Sequence, residues 1–266
     1  MPRLSPSWLC FIVCIFLNAP RAHAAWVVGG SGGLMTQNYA DRLQDWLGEG
    51  EIKLTRIYAK SDTDNSEAFH AASDKKGRTI TLIELVSTDQ ATGFSPSSPA
   101  GRLISVERQV VGGYNPKSWE SNTFVHWTTN PLDKTAFLFN LSSNEKFFQR
   151  LNFAGDAQTF NYFAYGPTFG SGFDLLVDAS LKNGYANAVS YGPDPLGGPN
   201  RSIVRTNELD EDSIYSVTGL SVGSLEVYTI SNVAAVPEPA TLLLWGIGSA
   251  GVISLRWRRA ARKENA

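Results

Sequence analysis

The chain has 266 residues, 42% of them hydrophobic, and a formal charge of −2, which is typical of a globular protein. Between Ala25 and Ala235 it has 16 Lys and Arg against 23 Asp and Glu, a net charge of −7. An acidic body argues against nucleic acid and anionic lipid as partners. Both cysteines, Cys10 and Cys14, lie near the N-terminus, so a disulfide framework and a Cys/His zinc site are excluded for the rest of the chain.

Residues 1–24 have the pattern of a secretory signal peptide. Arg3 precedes a ten-residue apolar core, Trp8 to Leu17, which is too short for a stable membrane anchor. Ala22, His23 and Ala24 then form an A-x-A cleavage site, so we expect the mature chain to start at Ala25.

A glycine-rich lead-in, residues 25–35, follows the predicted cleavage site. Gly29 to Gly33 matches the letters of the G-x-S-x-G nucleophile elbow. That motif requires a strand before it and a helix directly after it. A flexible tether is the favoured interpretation at this place in the chain.

The body is predicted to be mainly β with short helices. Tyr39, Leu43, Trp46 and Leu47 share one helical face, which predicts a helix from Thr36 to Leu47 that ends at Gly48. A second, short helix is predicted over Ser66–Ala72. Eight runs rich in β-branched and aromatic residues predict strands: Ile52–Tyr58, Thr79–Val86, Leu103–Val111, Phe124–Trp127, Thr135–Leu141, Phe173–Val177, Ile203–Arg205 and Ser224–Ile230. Short strands separated by turn residues favour a two-sheet β-sandwich in an α+β chain.

An ordered set of segments over residues 36–231 resembles the TLDc domain. The segments are Leu43–Leu47, Leu54–Tyr58, Ser61–Ser66, Ala68–His70, Gly77–Ile83, Val111–Tyr114 with Trp119, Ala136–Leu141, Gly166–Leu175 and Leu225–Ile230. The resemblance implies a sandwich that binds other proteins and has no known active site. Eukaryotic relatives are associated with the vacuolar proton pump, a partner that we do not expect for an exported protein.

Residues that could carry chemistry are few. The body has two histidines, His70 and His126, and we expect His70 to be a core or turn hydrogen-bonding group rather than a catalyst. Glu226 stands in an apolar strand and needs a partner, either a backbone amide or an arginine. Three further carboxylates, Glu84, Glu107 and Glu120, could meet in space, but no spacing selects a pair for sugar hydrolysis.

Two acidic segments raise the question of calcium. The run from Asp62 to Glu67 has Ser73 where an EF-hand loop has its twelfth-position glutamate, so it is not an EF-hand. A turn explains its Asp and Asn residues. The second segment, Glu208 with Asp210, Glu211 and Asp212, is typical of a solvated loop. Calcium at either place remains an alternative, and no cofactor or metal site is predicted.

The C-terminal segment has three parts in a fixed order. The sequence Pro237-Glu238-Pro239 lies in a linker, residues 232–239, and is followed by an apolar segment that predicts a transmembrane helix, residues 240–257. Arg256, Arg258 and Arg259 form a basic cluster, and residues 258–266 are predicted to be a cytoplasmic tail. This order resembles the PEP-CTERM sorting signal of Gram-negative bacteria. The resemblance implies export, transient anchoring in the inner membrane and processing by an exosortase-type enzyme, followed by delivery to the cell surface or extracellular matrix.

The sequence therefore predicts an exported, non-catalytic binding protein whose partner is an envelope protein or an extracellular polysaccharide. The alternative is a carbohydrate-binding module, supported by aromatic residues that can stack on sugars: Trp119, Trp127, Tyr162, Tyr165, Tyr185 and Tyr191. A glycan hydrolase ranks third, because no catalytic residues can be named.

Overall fold

The computed structural model describes residues 25–29, 32–197, 201–207 and 214–233. The predicted signal peptide with Ala22 and Ala24, the sorting residues Pro237, Glu238, Pro239, Arg256, Arg258 and Arg259, and the predicted transmembrane helix lie outside these residues. So do Ser31 and the acidic run at 208–212. No helix in the described part of the chain is long and apolar enough to cross a membrane.

The described residues form two α-helices and fifteen β-strands. The helices are α1 (Gln37–Leu47) and α2 (Ser66–Ser73), and Pro131–Asp133 and Phe153–Gly155 are single 3-10 turns. The strands are β1 (Trp26–Val28), β2 (Ile52–Ala59), β3 (Thr79–Val86), β4 (Thr88–Ser95), β5 (Ser98–Val106), β6 (Gln109–Asn115), β7 (Val125–Trp127), β8 (Phe137–Asn140), β9 (Glu145–Gln149), β10 (Ala157–Phe160), β11 (Thr168–Phe169), β12 (Leu175–Val177), β13 (Asn183–Ala186), β14 (Tyr191–Gly192) and β15 (Ser216–Asn232).

The long strand β15 organises the fold. Its N-terminal half pairs with β4 and β13, and its C-terminal half pairs with β2 and β3. The register between β15 and β3 shifts between Val222 and Leu225, where the strand passes from one half to the other. The strand order then runs from β3 through β6, β8 and β9 to β14, and from β13 through β12, β11 and β10 to the edge strand β7. The architecture is mainly β, as predicted, and consistent with a sandwich. Its described strands form one connected hydrogen-bonded network rather than two separate sheets.

Local sequence explains both helices. Thr36 caps the first turn of α1 by accepting from the amide of Tyr39, and Gly48 ends the helix in the left-handed conformation at φ 69°. Asn65 caps α2 by accepting from the amides of Glu67 and Ala68. The helix predicted from Thr36 is confirmed, and so is the short helix from Ser66.

Three predictions from the sequence need correction. The strand predicted over Leu103–Val111 is two strands, because Glu107 and Arg108 between them are not part of either strand. The partner of the first, β4, was not predicted. Ile203–Arg205 is not a strand, and only an isolated bridge joins Val106 to the neighbouring Thr206. The lead-in is not only a tether, since Trp26–Val28 pairs in parallel with β2. Its residues are strong β formers, which the glycines that follow had obscured.

Glu226 of β15 has the partners that the sequence requires. The carboxylate is 4% exposed and lies 2.8 Å from Nη1 of Arg56. It also accepts from the amide of Leu34 at 3.0 Å and from the hydroxyl of Tyr228 at 2.8 Å. Both predicted kinds of partner are confirmed. Because Leu34 precedes α1, this buried carboxylate also fastens the N-terminal segment to the sheet.

Candidate binding site at an exposed aromatic patch

Six aromatic side chains in mutual contact lie at the surface near β7 and β10. None of the six is fully buried, and Phe124 and Phe163 are 65% and 56% exposed. Exposed clusters of this kind are unusual in monomeric proteins and mark interaction sites. We call the six residues the aromatic patch: Phe124, Phe160, Tyr162, Phe163, Tyr165 and Phe173.

The rings of the patch do not form a flat platform. Only Phe124 and Tyr162 are near parallel, with centroids 5.4 Å apart and planes at 16°. Phe160 meets Phe173 at 86° and Phe124 at 73°. Edge-to-face packing leaves edges and faces exposed together. Such a surface fits apolar side chains better than the flat face of a sugar ring.

Three segments bring these rings together. Phe124 precedes the edge strand β7, and its carbonyl accepts from the amide of Asn161 at 2.7 Å, directly after β10. The next residues turn back, with the amide of Tyr165 donating to the carbonyl of Tyr162 at 2.9 Å. Phe173 reaches the patch from a left-handed backbone position, φ 57°. Loops held by strands are a common way to display a binding surface.

His70 fastens the turn that carries Tyr162, Phe163 and Tyr165. Its Nε2 lies 3.0 Å from the carbonyl oxygen of Tyr165 and 3.3 Å from that of Tyr162. Its Nδ1 lies 2.8 Å from Oδ1 of Asp74. Both ring nitrogens are therefore engaged, and neither points at open space. His70 is a buried hydrogen-bonding group, as the sequence predicts, and here it anchors the turn.

Asp74 connects the same anchor to the loop before Phe124. Its Oδ2 accepts from the amide of Ser121 at 2.8 Å, while Oδ1 faces His70. Burial alone would raise the pKa of Asp74, but the hydrogen bonds from His70 and Ser121 outweigh it and hold the pKa below its usual value. The C-terminal end of α2 thus fixes two of the three patch segments.

Asp174 fixes the third segment from inside. This fully buried carboxylate accepts from the amides of Val189, Ser190 and Tyr191 at 2.7 to 3.0 Å. Burial raises the pKa of Asp174 to about 6, although the amide donors act in the opposite direction. Phe173 is adjacent to Asp174 in the chain, so the anchored carboxylate sets the position from which its ring reaches the patch.

A cleft of about 470 Å³ opens beside the patch. Phe163 forms one wall, and the remaining walls are mostly polar, with Glu67, Lys75 and Asn122 next to the His70 anchor. An apolar patch next to a polar rim is the usual composition of a protein interaction surface.

The other candidates from the sequence do not assemble into a site. Asp64 accepts from the amide and hydroxyl of Ser61 and from the hydroxyl of Tyr58, and Asn65 caps α2. The segment that suggested calcium is therefore a turn followed by a helix cap. In the described ranges no group of three or more His, Cys, Asp or Glu is placed to hold a metal ion.

Of the three glutamates considered for sugar hydrolysis, Glu120 lies away from Glu84 and from Glu107, the residue before Arg108. Glu84 pairs with Arg108 at 2.6 Å near one end of β3. Glu120 follows Trp119, whose indole donates to Thr79 at the other end of β3. Glu84 lies five residues along β3 from Thr79, a distance of about 17 Å. His126 lies on β7, where burial lowers its pKa.

The structure divides the predicted sugar-stacking aromatics. Trp119 and Tyr191 are core residues, each 1% exposed or less. The hydroxyl of Tyr185 accepts a hydrogen bond from the hydroxyl of Ser216, and Trp127 is exposed at the end of β7. Tyr162 and Tyr165 belong to the patch. The four phenylalanines of the patch were missed, although four aromatic residues within the six-residue run Phe160–Tyr165 were a signal, because so dense a run cannot all face one core.

Comparison with known families agrees with this fold. A profile of the TLDc domain matches residues 29–231, so the chain belongs to the TLDc domain family. A second profile, that of the PEP-CTERM protein-sorting motif, matches residues 235–259. Both resemblances noted in the sequence are confirmed. The protein is therefore exported to the cell envelope or surface and sorted by an exosortase-type system. No curated protein matches the chain.

Proposed function

We propose that this protein is a non-catalytic binding protein of the cell envelope that holds an apolar surface of another protein on its aromatic patch. The observation that carries the proposal is the patch itself, six contacting rings of which none is buried. Burying one aromatic side chain in an interface contributes about 1.5–3 kcal/mol. Two such side chains, Phe124 and Phe163, would supply the central contacts of a specific interface.

The anchors beneath the patch support a binding role. His70, Asp74 and Asp174 hold all three segments before any partner arrives. A surface fixed in advance loses little conformational entropy on binding. The same anchors leave neither nitrogen of His70 available to accept a proton from a substrate, which favours binding over catalysis.

The sorting signal supports the same role. Before processing, we expect residues 240–257 to hold the protein in the inner membrane, with the basic tail in the cytoplasm. After processing, the body would be delivered with its patch facing other envelope components. A carbohydrate of the extracellular matrix is the second candidate partner. It is favoured by the polar cleft next to Phe163.

Two patch variants and one matched control test the proposal. Phe124→Ala and Phe163→Ala each remove a ring of the patch, and Phe153→Ala removes an equally apolar ring that is 84% exposed and outside it. Envelope proteins retained by the wild-type protein would be purified and measured for direct, saturable binding. Each patch substitution should weaken the affinity about 10- to 100-fold, and Phe153→Ala should leave it unchanged.

The same variants separate the two partners. Saturable binding on a glycan array that is lost in both patch variants would replace the protein partner by a carbohydrate. If Phe124→Ala, Phe163→Ala and Phe153→Ala bind every retained ligand with equal affinity, the patch is not the binding surface. Turnover of any glycan by the wild-type protein would overturn the non-catalytic role.

A further inference from the structure

The backbone at Ala25 is held by two side chains of α1. The Ala25 nitrogen donates to Oδ1 of Asp41 at 3.2 Å, and the Ala25 carbonyl accepts from Nε2 of Gln37 at 3.0 Å. Nε2 of Gln37 also donates to Oδ1 of Asp41 at 2.7 Å. One carboxylate and one amide therefore surround both polar groups of a single backbone residue.

Ala25 is also part of the packed core. It belongs to the hydrophobic cluster that includes Met35, Ala40 and Leu43. The next residue, Trp26, lies opposite Lys53 in the parallel ladder between β1 and β2. The position of the Ala25 nitrogen is consequently set from two sides, by α1 and by β2.

The Ala25 nitrogen is the atom that signal peptide removal would free. We infer that Asp41 and Gln37 form a receptor for the α-ammonium group of the processed chain. A signal-peptidase-type hydrolase would add water across the Ala24–Ala25 peptide bond. The carboxylate would leave with Ala24, and the nitrogen of Ala25 would gain protons to become an ammonium group. The hydrogen bond to Asp41 thereby becomes an ion pair without a change of position, and a charge-assisted bond of this kind is about twice as strong as a neutral one.

This receptor gives processing a structural consequence. Before cleavage, Asp41 holds a neutral amide, and after cleavage it holds a cation whose charge it neutralises. An adjacent carboxylate raises the pKa of an α-amino group above its ordinary value of about 7.7–8.0. Asp41 is the carboxylate hydrogen-bonded to the nitrogen. The basic residues of β2 beside this segment are the exposed Lys53, opposite Trp26, and Arg56, which pairs with Glu226. The stabilisation is present below the ordinary pKa and is lost as the pH rises through the raised value.

Reactivity of the α-amine tests the inference on the exported protein. The full-length gene would be expressed in an export-competent Gram-negative host, and the processed protein would be purified and sequenced from its N-terminus. It would then be labelled at pH 7 with an amine-reactive reagent, and the N-terminal peptide would be quantified by mass spectrometry. Asp41→Asn should label about tenfold faster than wild type, because a pKa lower by about one unit raises the fraction of neutral amine about tenfold.

Asp45→Asn is the matched control, since it makes the same change one turn further along α1 at an exposed residue. It should label at the wild-type rate. Asp41→Glu retains the charge and should restore slow labelling, which keeps the test decisive if Asp41→Asn is poorly folded. Equal labelling rates for the Asn variants at 41 and 45, or a processed chain that begins at a residue other than Ala25, would overturn the inference.

Discussion

Glu145→Gln should lower stability at neutral pH and remove a defined part of its pH dependence. Glu145, on β9, pairs with Arg201 at 2.5 Å, with Nε of Arg205 at 2.6 Å and with the hydroxyl of Ser143 at 2.7 Å. Burial alone would raise the pKa of Glu145, but the bonds from Arg205, Arg201 and Ser143 lower it from 4.5 to about 2. The cluster ties residues 201–207 to the sheet.

The magnitude follows from the size of that pKa change. At 1.36 kcal/mol per pKa unit, the shift corresponds to an upper bound of about 3 kcal/mol. Glu145 keeps some contact with water, its side chain being 19% exposed, and solvent screening reduces the expected contribution to about 1–2 kcal/mol. Because the folded-state pKa is lowered, the contribution is present above pH 4.5 and lost as the pH falls towards 2. More than half of it is lost by pH 3.

Urea unfolding followed by tryptophan fluorescence measures this contribution. At pH 7, Glu145→Gln should lower the free energy of unfolding by about 1–2 kcal/mol relative to Glu107→Gln, an exposed control. The difference should shrink by more than half at pH 3. A difference that is the same at both pH values, or absent at pH 7, would refute the assignment of the stabilisation to the Glu145 ion pairs.

Two further substitutions test the interior of the fold and the anchor of the patch. Gly112→Ala would place a methyl group 2.0 Å from the carbonyl oxygen of Thr81 in the β3–β6 ladder. The free energy of unfolding, measured by thermal unfolding, should therefore fall by at least about 2 kcal/mol. An unchanged unfolding midpoint would mean that β3 and β6 can move apart at this position without cost. His70→Ala removes the bonds to the carbonyls of Tyr162 and Tyr165, so hydrogen exchange at residues 162–165 should speed up while that of β3 stays slow. Exchange that is faster than in the wild type both at residues 162–165 and in β3 would show that His70 acts on global stability instead.

The sequence predicted the elements whose signals are local. The helix α1 has a four-residue apolar stripe and glycine at its end, and the sorting motif is a contiguous pattern. The need of Glu226 for a partner follows from an acidic residue in an apolar strand, a rule that holds wherever the strand pairs. The partner's identity, Arg56, is 170 residues away in sequence and was open until the fold was known.

Short strands and surface aromatics were the parts that the sequence could not supply. Strands β10, β11, β13 and β14 were not predicted: they have two to four residues each, too few to show a period of alternating residues. An aromatic residue carries the same hydrophobic signal whether it is buried like Trp119 or exposed like Phe124. Only the position of β7 and β10 at an edge of the strand network distinguishes the exposed aromatic residues from the buried ones. The sequence alone therefore did not reveal the patch.

The position of β15 makes completion of the fold depend on the end of the domain. Four strands, β2, β3, β4 and β13, pair with this last strand, and Glu226 lies opposite Ala59 across more than half of the chain. Loop closure over such separations is slow and comes late in folding. The sorting motif begins at residue 235, directly after β15 in the sequence. A chain that ends before β15 therefore lacks both the strand that joins four others and the sorting motif, so the two are lost together in any truncated product.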